Sequence, residues 1–260
     1  MTTSSWTGAS GSLTSATRYA LIEHRRNRFA MVLIMVFVPA WITLAGFMLP
    51  NTPAVFRLRS AELVLRPDGH QLSQVAGALN TTTLIAGFMM FAATFSTGEF
   101  DRRLVHAGCP RLHLVLAKMA ALVLATVIIC SYAALVLHAF WQPDQPVLLA
   151  AALMCATATY GVLGVALGAV LRREVEGMFA IVMISMVDVG LQNPAFSGGA
   201  GSDAVRFLPS YGAMQAATGA AFSSVRVVGC LALQLAWFVG VSVLALAAFQ
   251  RHTRPASVHR

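Results

Sequence analysis

One carboxylate, that of Asp188, stands in a stretch of the sequence that is otherwise uncharged. Residues 177–201 contain no other Asp, Glu, Lys or Arg. A carboxylate at membrane depth costs roughly 2.5–3.5 kcal/mol on insertion scales, and such groups usually face a cavity or a partner. Asp188 is therefore a candidate for a substrate pathway or a subunit interface. The alternative is a position close to the outer membrane surface.

Two further groups of residues in apolar stretches have types that suggest a role. Asn80 and Thr83 belong to a short polar run and could contact a substrate, although threonines in helices also bond back to their own backbone, which we favour here. Gly164 and Gly168 form a GxxxG pattern that permits close helix approach. We expect this pattern to serve packing within one subunit and not a dimer contact.

The sequence carries no pattern of a catalytic or metal site. The four cysteines show no CxxC spacing, and the seven histidines show no HExxH pattern. Paired acids inside the apolar stretches are also missing. We therefore expect no catalytic residue, no metal and no cofactor in this chain, and an intramembrane enzyme is the least favoured class.

The most distinctive connection between two apolar stretches is residues 98–114. Acids, bases and apolar residues alternate there, as in a short amphipathic helix on a membrane surface. The alternative is a solvated connector that supplies only the charge that sets topology. The candidate site residues of this segment are Glu99, Asp101, Arg102, Arg103, Pro110 and Arg111.

Six long apolar stretches must position these residues. No charged residue occurs in five of them, residues 29–56, 72–98, 119–143, 147–171 and 227–250, and the sixth, residues 177–201, contains only Asp188. Of the whole chain, 57% is hydrophobic and 11% is charged. A membrane crossing needs about 20 apolar residues, and backbone in lipid must form its own hydrogen bonds. We predict an all-α polytopic membrane protein with a single domain over residues 1–260. The predicted transmembrane helices are residues 29–49, 74–97, 117–139, 147–170, 177–195 and 226–249.

The distribution of basic residues predicts the orientation. Of the 18 Lys and Arg, 13 lie in the two tails and the connections after the second and fourth helices. The positive-inside rule then places both termini in the cytoplasm of a cell membrane. The net charge of +8 reflects this topology and contact with anionic lipid, so nucleic-acid binding is not expected.

Three segments outside the spans receive separate predictions. Residues 1–28 form a cytoplasmic tail that includes a surface "elbow" helix over residues 14–28, and residues 250–260 form the other tail. Residues 207–222 are fairly apolar but too short to cross, which predicts a re-entrant or interfacial helix before the last span. An ordinary surface loop is the alternative for that segment.

Three short motifs, in this order, resemble those of ABC-2-type transporter permeases, in particular small actinobacterial drug and antibiotic exporters. The first is Gly98-Glu99, with Pro110-Arg111 and Ala117-Lys118 further along. The second is the glycine-rich end of the fourth helix, residues 163–172. The third is Arg206-Phe207-Leu208-Pro209, which precedes Gly212-Ala213 and Thr218-Gly219. The resemblance covers roughly residues 15–250.

The resemblance implies a translocase subunit that exports a hydrophobic or amphipathic compound. It also implies a second permease copy, as homodimer or heterodimer, and a separate ATPase subunit that binds ATP and Mg²⁺ and docks on residues 98–114. A P-loop needs a GxxxxGK[ST] pattern, and the sole lysine, Lys118, follows Leu116-Ala117, so this chain has none. The alternatives are a lipid-linked glycan exporter of the same superfamily and an ion-coupled secondary transporter.

Overall fold

The computed structural model describes residues 28–47, 52–59, 61–106, 111–171, 173–194, 202–225 and 227–252, and most of them are helical. Seven α-helices, one 3₁₀-helix and one small sheet make up this described part. In chain order they are α1 (Arg28–Phe47), β1 (Phe56–Leu58), β2 (Leu63–Leu65), α2 (Gly69–His106), α3 (Arg111–Phe140), α4 (Pro146–Val170), α5 (Glu174–Gln192), the 3₁₀-helix (Asp203–Phe207), α6 (Tyr211–Phe222) and α7 (Val228–His252).

Four of the described helices are long and apolar enough to cross a membrane. Their apolar parts are Gly69–Gly98, Leu114–Phe140, Pro146–Val170 and Val228–Ala248. Three of them contain a predicted span and the fourth covers residues 228–248 of the predicted span 226–249, so the helical class and these four helices are confirmed. Helices also occupy the other two predicted positions, but Ile34–Phe47 of α1 is shorter and α5 has 19 residues. These two are therefore not among the helices that qualify by length and composition.

Helix α4 lies at the centre of the bundle, where it packs on α2, α3, α6 and α7. Its glycines allow the approach to α2. A Cβ atom at Gly168 would lie 2.9 Å from the backbone oxygen of Phe91, and one at Gly164 would overlap the backbone oxygen of Gly87. Gly164 and Gly168 thus lie at a contact within one chain, where two backbones pack without side chains between them.

The connection between α1 and α2 contains a β-hairpin, an element that was not predicted from the sequence. Strands β1 and β2 pair antiparallel, with Phe56 opposite Leu65 and Leu58 opposite Leu63. Phe56, Leu58 and Leu65 are buried, whereas Arg57 points outward. The period-two alternation of apolar and charged residues in β1 is the signal for a strand with one buried face.

The predicted coupling helix over residues 98–114 is not a separate element in the described part of the chain. Instead α2 continues through residue 106, and α3 begins at Arg111. Both helices extend beyond their apolar parts because backbone hydrogen bonding continues where water replaces lipid. Residues 107–110, the predicted elbow helix before Arg28, and the tail after His252 lie outside the described residues.

Most of the segment before α7 that was predicted as a re-entrant or interfacial helix is helical. The 12-residue helix α6 covers 211–222 of the predicted segment 207–222, and Tyr211 to Ala221 are all buried. The 3₁₀-helix precedes it. The hairpin holds this region in place, since Arg59 donates its backbone N–H to Gln215 Oε1 at 3.0 Å and pairs with Asp203 at 2.8 Å.

Candidate functional site

Asp188 lies at a junction of three helices, where its side chain is 1% exposed. Its Oδ2 accepts hydrogen bonds from the Tyr160 hydroxyl of α4 and from the backbone N–H of Ser210 at 2.9 Å. Its Oδ1 accepts from Gln192 Nε2 at 2.6 Å. We name these four residues, Tyr160, Asp188, Gln192 and Ser210, the polar junction. It connects α4, α5 and the start of α6.

The Asp188 carboxylate is stabilised by dipoles instead of a basic side chain. None of its hydrogen-bond donors in the described part of the chain is Lys, Arg or His. Ser210 is the N-cap residue of α6, so the carboxylate lies at the N-terminus of that helix. A helix N-terminus carries the equivalent of about half a positive charge, which favours an anion there. Three donors and this dipole together explain how a carboxylate remains buried without an ion pair.

A second polar cluster lies about one turn before Asp188 in α5, at Ser185. Asn80 Nδ2 of α2 donates to Ser185 Oγ at 3.1 Å, and Thr83 Oγ1 lies 3.0 Å from the same oxygen. Thr83 Oγ1 also donates to the backbone oxygen of Leu79 at 2.8 Å. Asn80 and Thr83 therefore contact α5 as well as their own helix. Because Ser185 and Asp188 are three residues apart, the two clusters share one face of α5.

The predicted coupling residues lie further along α2 than the predicted pathway residues Asn80 and Thr83. Glu99, Asp101 and Arg102 belong to its last turns, and their side chains are outside the described part. Arg103 is exposed, Arg111 begins α3, and Pro110 lies outside the described residues. Thr83, which contacts Ser185 of α5, precedes Glu99 by 16 residues of the same helix, or about 24 Å at 1.5 Å per residue. The two groups of predicted residues thus do not form one site.

Sequence reasoning missed three of the four junction residues. Tyr160, Gln192 and Ser210 were not singled out, although Tyr160 carried a usable signal. A tyrosine in the middle of an apolar 25-residue helix needs a hydrogen-bond partner for its hydroxyl when it is buried. The partner, 28 residues away in α5, becomes visible only when the helices are packed.

The junction is a buried hydrogen-bond network that joins three helices. Its one carboxylate accepts three hydrogen bonds from neutral groups, and among the described hydrogen bonds no Lys, Arg or His contacts its two hydroxyls. In the described part of the chain, no group of three or more His, Cys, Asp or Glu is placed to hold a metal ion. Comparison with protein-family models gives no matching family, and comparison with curated proteins gives no match.

Proposed function

We propose that this chain is the membrane-spanning permease subunit of an ABC-2-type exporter. It moves a hydrophobic or amphipathic compound out of the cell with energy from a separate ATPase subunit. One observation carries the proposal: α2 has 38 residues, or about 57 Å, against a hydrocarbon thickness of about 30 Å. Its last eight residues, 99–106, extend past the apolar part Gly69–Gly98 and carry charge.

This charged extension gives a partner a rigid surface. We name residues 98–106 of α2 and 111–114 of α3 the coupling end. Just inside it, Lys118 Nζ of α3 donates to Thr97 Oγ1 of α2 at 2.9 Å, which ties the two helices together. A force applied at the coupling end is therefore transmitted to both helices as a unit. ATP and Mg²⁺ bind in the partner, because this chain contains no P-loop.

The proposal includes six crossings. Helices α1 and α5 have 20 and 19 residues, or about 30 and 28 Å, which matches the hydrocarbon thickness. Helix α6, at about 18 Å, is too short to cross and acts as a re-entrant helix. Irregular backbone at membrane depth is tolerated where protein covers it, and the burial of α6 meets that condition. Both termini then lie in the cytoplasm.

The polar junction has a defined part in this function. It fixes the N-terminus of α6 to α4 and α5 through a single carboxylate. A permease must rearrange its outer end to release cargo, and two copies of the chain, or one copy and a similar permease, enclose the pathway. The junction keeps α5 and α6 together while α2 transmits movement from the coupling end.

An ion-coupled secondary transporter is the second candidate, favoured by one observation. Asp188 is a buried carboxylate without a basic partner among its described contacts, and membrane-embedded acids often carry protons or ions in such transporters. The two functions differ in their energy source. Transport from vesicles that requires hydrolysable ATP supports the permease, and transport that follows an ion gradient without ATP supports the second candidate.

The test of the permease uses matched acidic variants at opposite ends of the bundle. The tagged chain is purified with its associated ATPase, and ATP hydrolysis by the complex is measured for wild type, Glu99→Ala and Asp144→Ala. Asp144 is an exposed acid in the turn between α3 and α4. We expect Glu99→Ala to lower co-purification and hydrolysis, and Asp144→Ala to leave both unchanged. Full hydrolysis with Glu99→Ala contradicts the assignment of the coupling end.

A further inference from the structure

A cavity of about 310 Å³ lies between α1, α2 and α5, apart from the polar junction. Trp41 and Leu44 line it from α1, and Met186 and Gly190 line it from α5. Leu44 and Met186 are 47% and 46% exposed, so the cavity opens on the outer face of the bundle between these two helices. Its volume is near the lower end of the roughly 300–1,000 Å³ of small-molecule sites. All of its walls come from one copy of the chain.

The polar groups of this cavity come from α2 and the end of α5. Ser73, Asn80 and Asn193 are among its lining residues, and all three are buried. Asn193 Nδ2 donates to Ser73 Oγ at a long 3.3 Å. The amide oxygen of Asn80 has no hydrogen-bond partner, although its Nδ2 is bonded to Ser185. A buried amide oxygen without a partner costs free energy, which a donor on a ligand recovers after a small rotation of the side chain.

The composition of the cavity lining then indicates the class of ligand. The residues that line the cavity include no Asp, Glu, Lys, Arg or His. A charged group placed there would lose its hydration without gaining an ion pair. A pure hydrocarbon would leave the Asn80 oxygen without a partner. A lipophilic molecule with a single hydroxyl satisfies both conditions, since its apolar part contacts Trp41 and Leu44 and its hydroxyl bonds to Asn80.

We propose that the cavity between α1, α2 and α5 is a binding site for a neutral lipophilic molecule that carries one hydroxyl group and enters from the lipid bilayer. This inference rests on the proposed function, because the bound molecule then represents the class of compound that the exporter carries. Binding itself needs neither ATP nor a second subunit. A failure of ATPase capture and a failure of ligand binding are therefore separate results.

The test adds a side chain at a glycine of the cavity wall that has free space beside it. A Cβ atom at Gly190 meets nothing within 4 Å, so Gly190→Leu fills the cavity without a backbone clash. Gly240 of α7 is equally free of neighbours, does not line the cavity, and gives the matched control Gly240→Leu. The full chain in lipid nanodiscs is photolabelled with a diazirine derivative of decanol. Parallel samples receive the corresponding derivatives of decane and of decanoate.

We expect saturable labelling by the decanol probe in peptides that contain Trp41, Asn80 or Met186. Gly190→Leu should weaken binding about tenfold or more, whereas Gly240→Leu should bind as wild type does. Asn80→Leu, which removes the amide, should reduce the preference for decanol over decane. Mapping of the labelled peptides in the wild type gives an independent result should a variant fold poorly.

Three outcomes would overturn the inference. Labelling spread over the lipid-facing helices without saturation removes the site. Equal saturable labelling by decane or decanoate removes the assigned ligand class. Unchanged binding in folded Gly190→Leu protein places the ligand elsewhere.

Discussion

Replacement of Asp188 by alanine should destabilise the bundle strongly, because it leaves buried donors without an acceptor. The Tyr160 hydroxyl and the Ser210 N–H both lose their bond to Oδ2, and both residues are 0% exposed. Gln192 Nε2 keeps Ser210 Oγ at 2.9 Å and the backbone oxygen of residue 188 at 3.0 Å. Each orphaned donor costs about 1–3 kcal/mol. The expected loss is therefore about 2–6 kcal/mol.

Asp188→Asn should be milder, and the reason lies in Gln192. The remaining oxygen of the new side chain can accept from both Tyr160 and Ser210. Gln192 Oε1 has no hydrogen-bond partner and can accept from the new NH₂ group after rotation of its amide, at the expense of the bonds from Nε2 to Ser210 Oγ and to the backbone oxygen of residue 188. The bonds become neutral ones, which are weaker than bonds to a carboxylate, and we expect a loss of about 1–2 kcal/mol. This variant therefore tests transport in a folded protein, and we expect it to impair export more than insertion.

The assay is thermal unfolding of the purified chain in detergent, followed with a thiol-reactive fluorophore. The thiols of Cys130 and Cys230 are buried, so they react only as the bundle opens. A protein of this size shifts its Tm by about 2–4 °C per kcal/mol, so Asp188→Ala should lower the Tm by about 5 °C or more. Asp203→Ala is the control, because that side chain is 82% exposed and its pair with Arg59 contributes about 1 kcal/mol or less.

The order of stability decides whether this account is right. We expect wild type and Asp203→Ala to unfold at similar temperatures, Asp188→Asn slightly lower and Asp188→Ala lowest. Unfolding of Asp188→Ala at the temperature of Asp203→Ala would refute the view that the polar junction holds α4, α5 and α6 together.

Two further predictions concern packing and orientation. Gly164→Leu would force a side chain against the backbone of Gly87, so we expect a loss of stability of about 3 kcal/mol or more and little folded protein after extraction. The control Gly240→Leu should fold, because a Cβ atom at that position meets nothing within 4 Å. Equal yields of the two variants would show that α2 and α4 separate easily. In a chain without native cysteines, an impermeant maleimide should label exposed Val64→Cys on intact cells, and exposed Arg103→Cys only after permeabilisation. The reverse pattern would invert the proposed topology and remove the ATPase docking site.

The β1–β2 hairpin and α6 could be predicted only in part from the sequence. Alternation in Phe56, Arg57 and Leu58 is a real strand signal, but three residues are too few to predict pairing without the partner strand. Helix α6 is buried on every side from Tyr211 to Ala221, so it has no polar face to give a helical period. The sequence could indicate a short non-crossing segment there, and it could not indicate what covers it.

The sequence by itself determined where the long helices lie. Backbone that avoids water must satisfy its own hydrogen bonds, so uninterrupted apolar runs such as residues 119–139 and 147–170 become helices whatever surrounds them. The tertiary structure alone decided how Asp188 is stabilised. Its partners Tyr160 and Ser210 lie 28 and 22 residues away in the chain. The sequence around each of them has no pattern that indicates a contact with Asp188. Local periodicity follows from the geometry of one helix, whereas a buried hydrogen-bond network exists only after several helices have packed together.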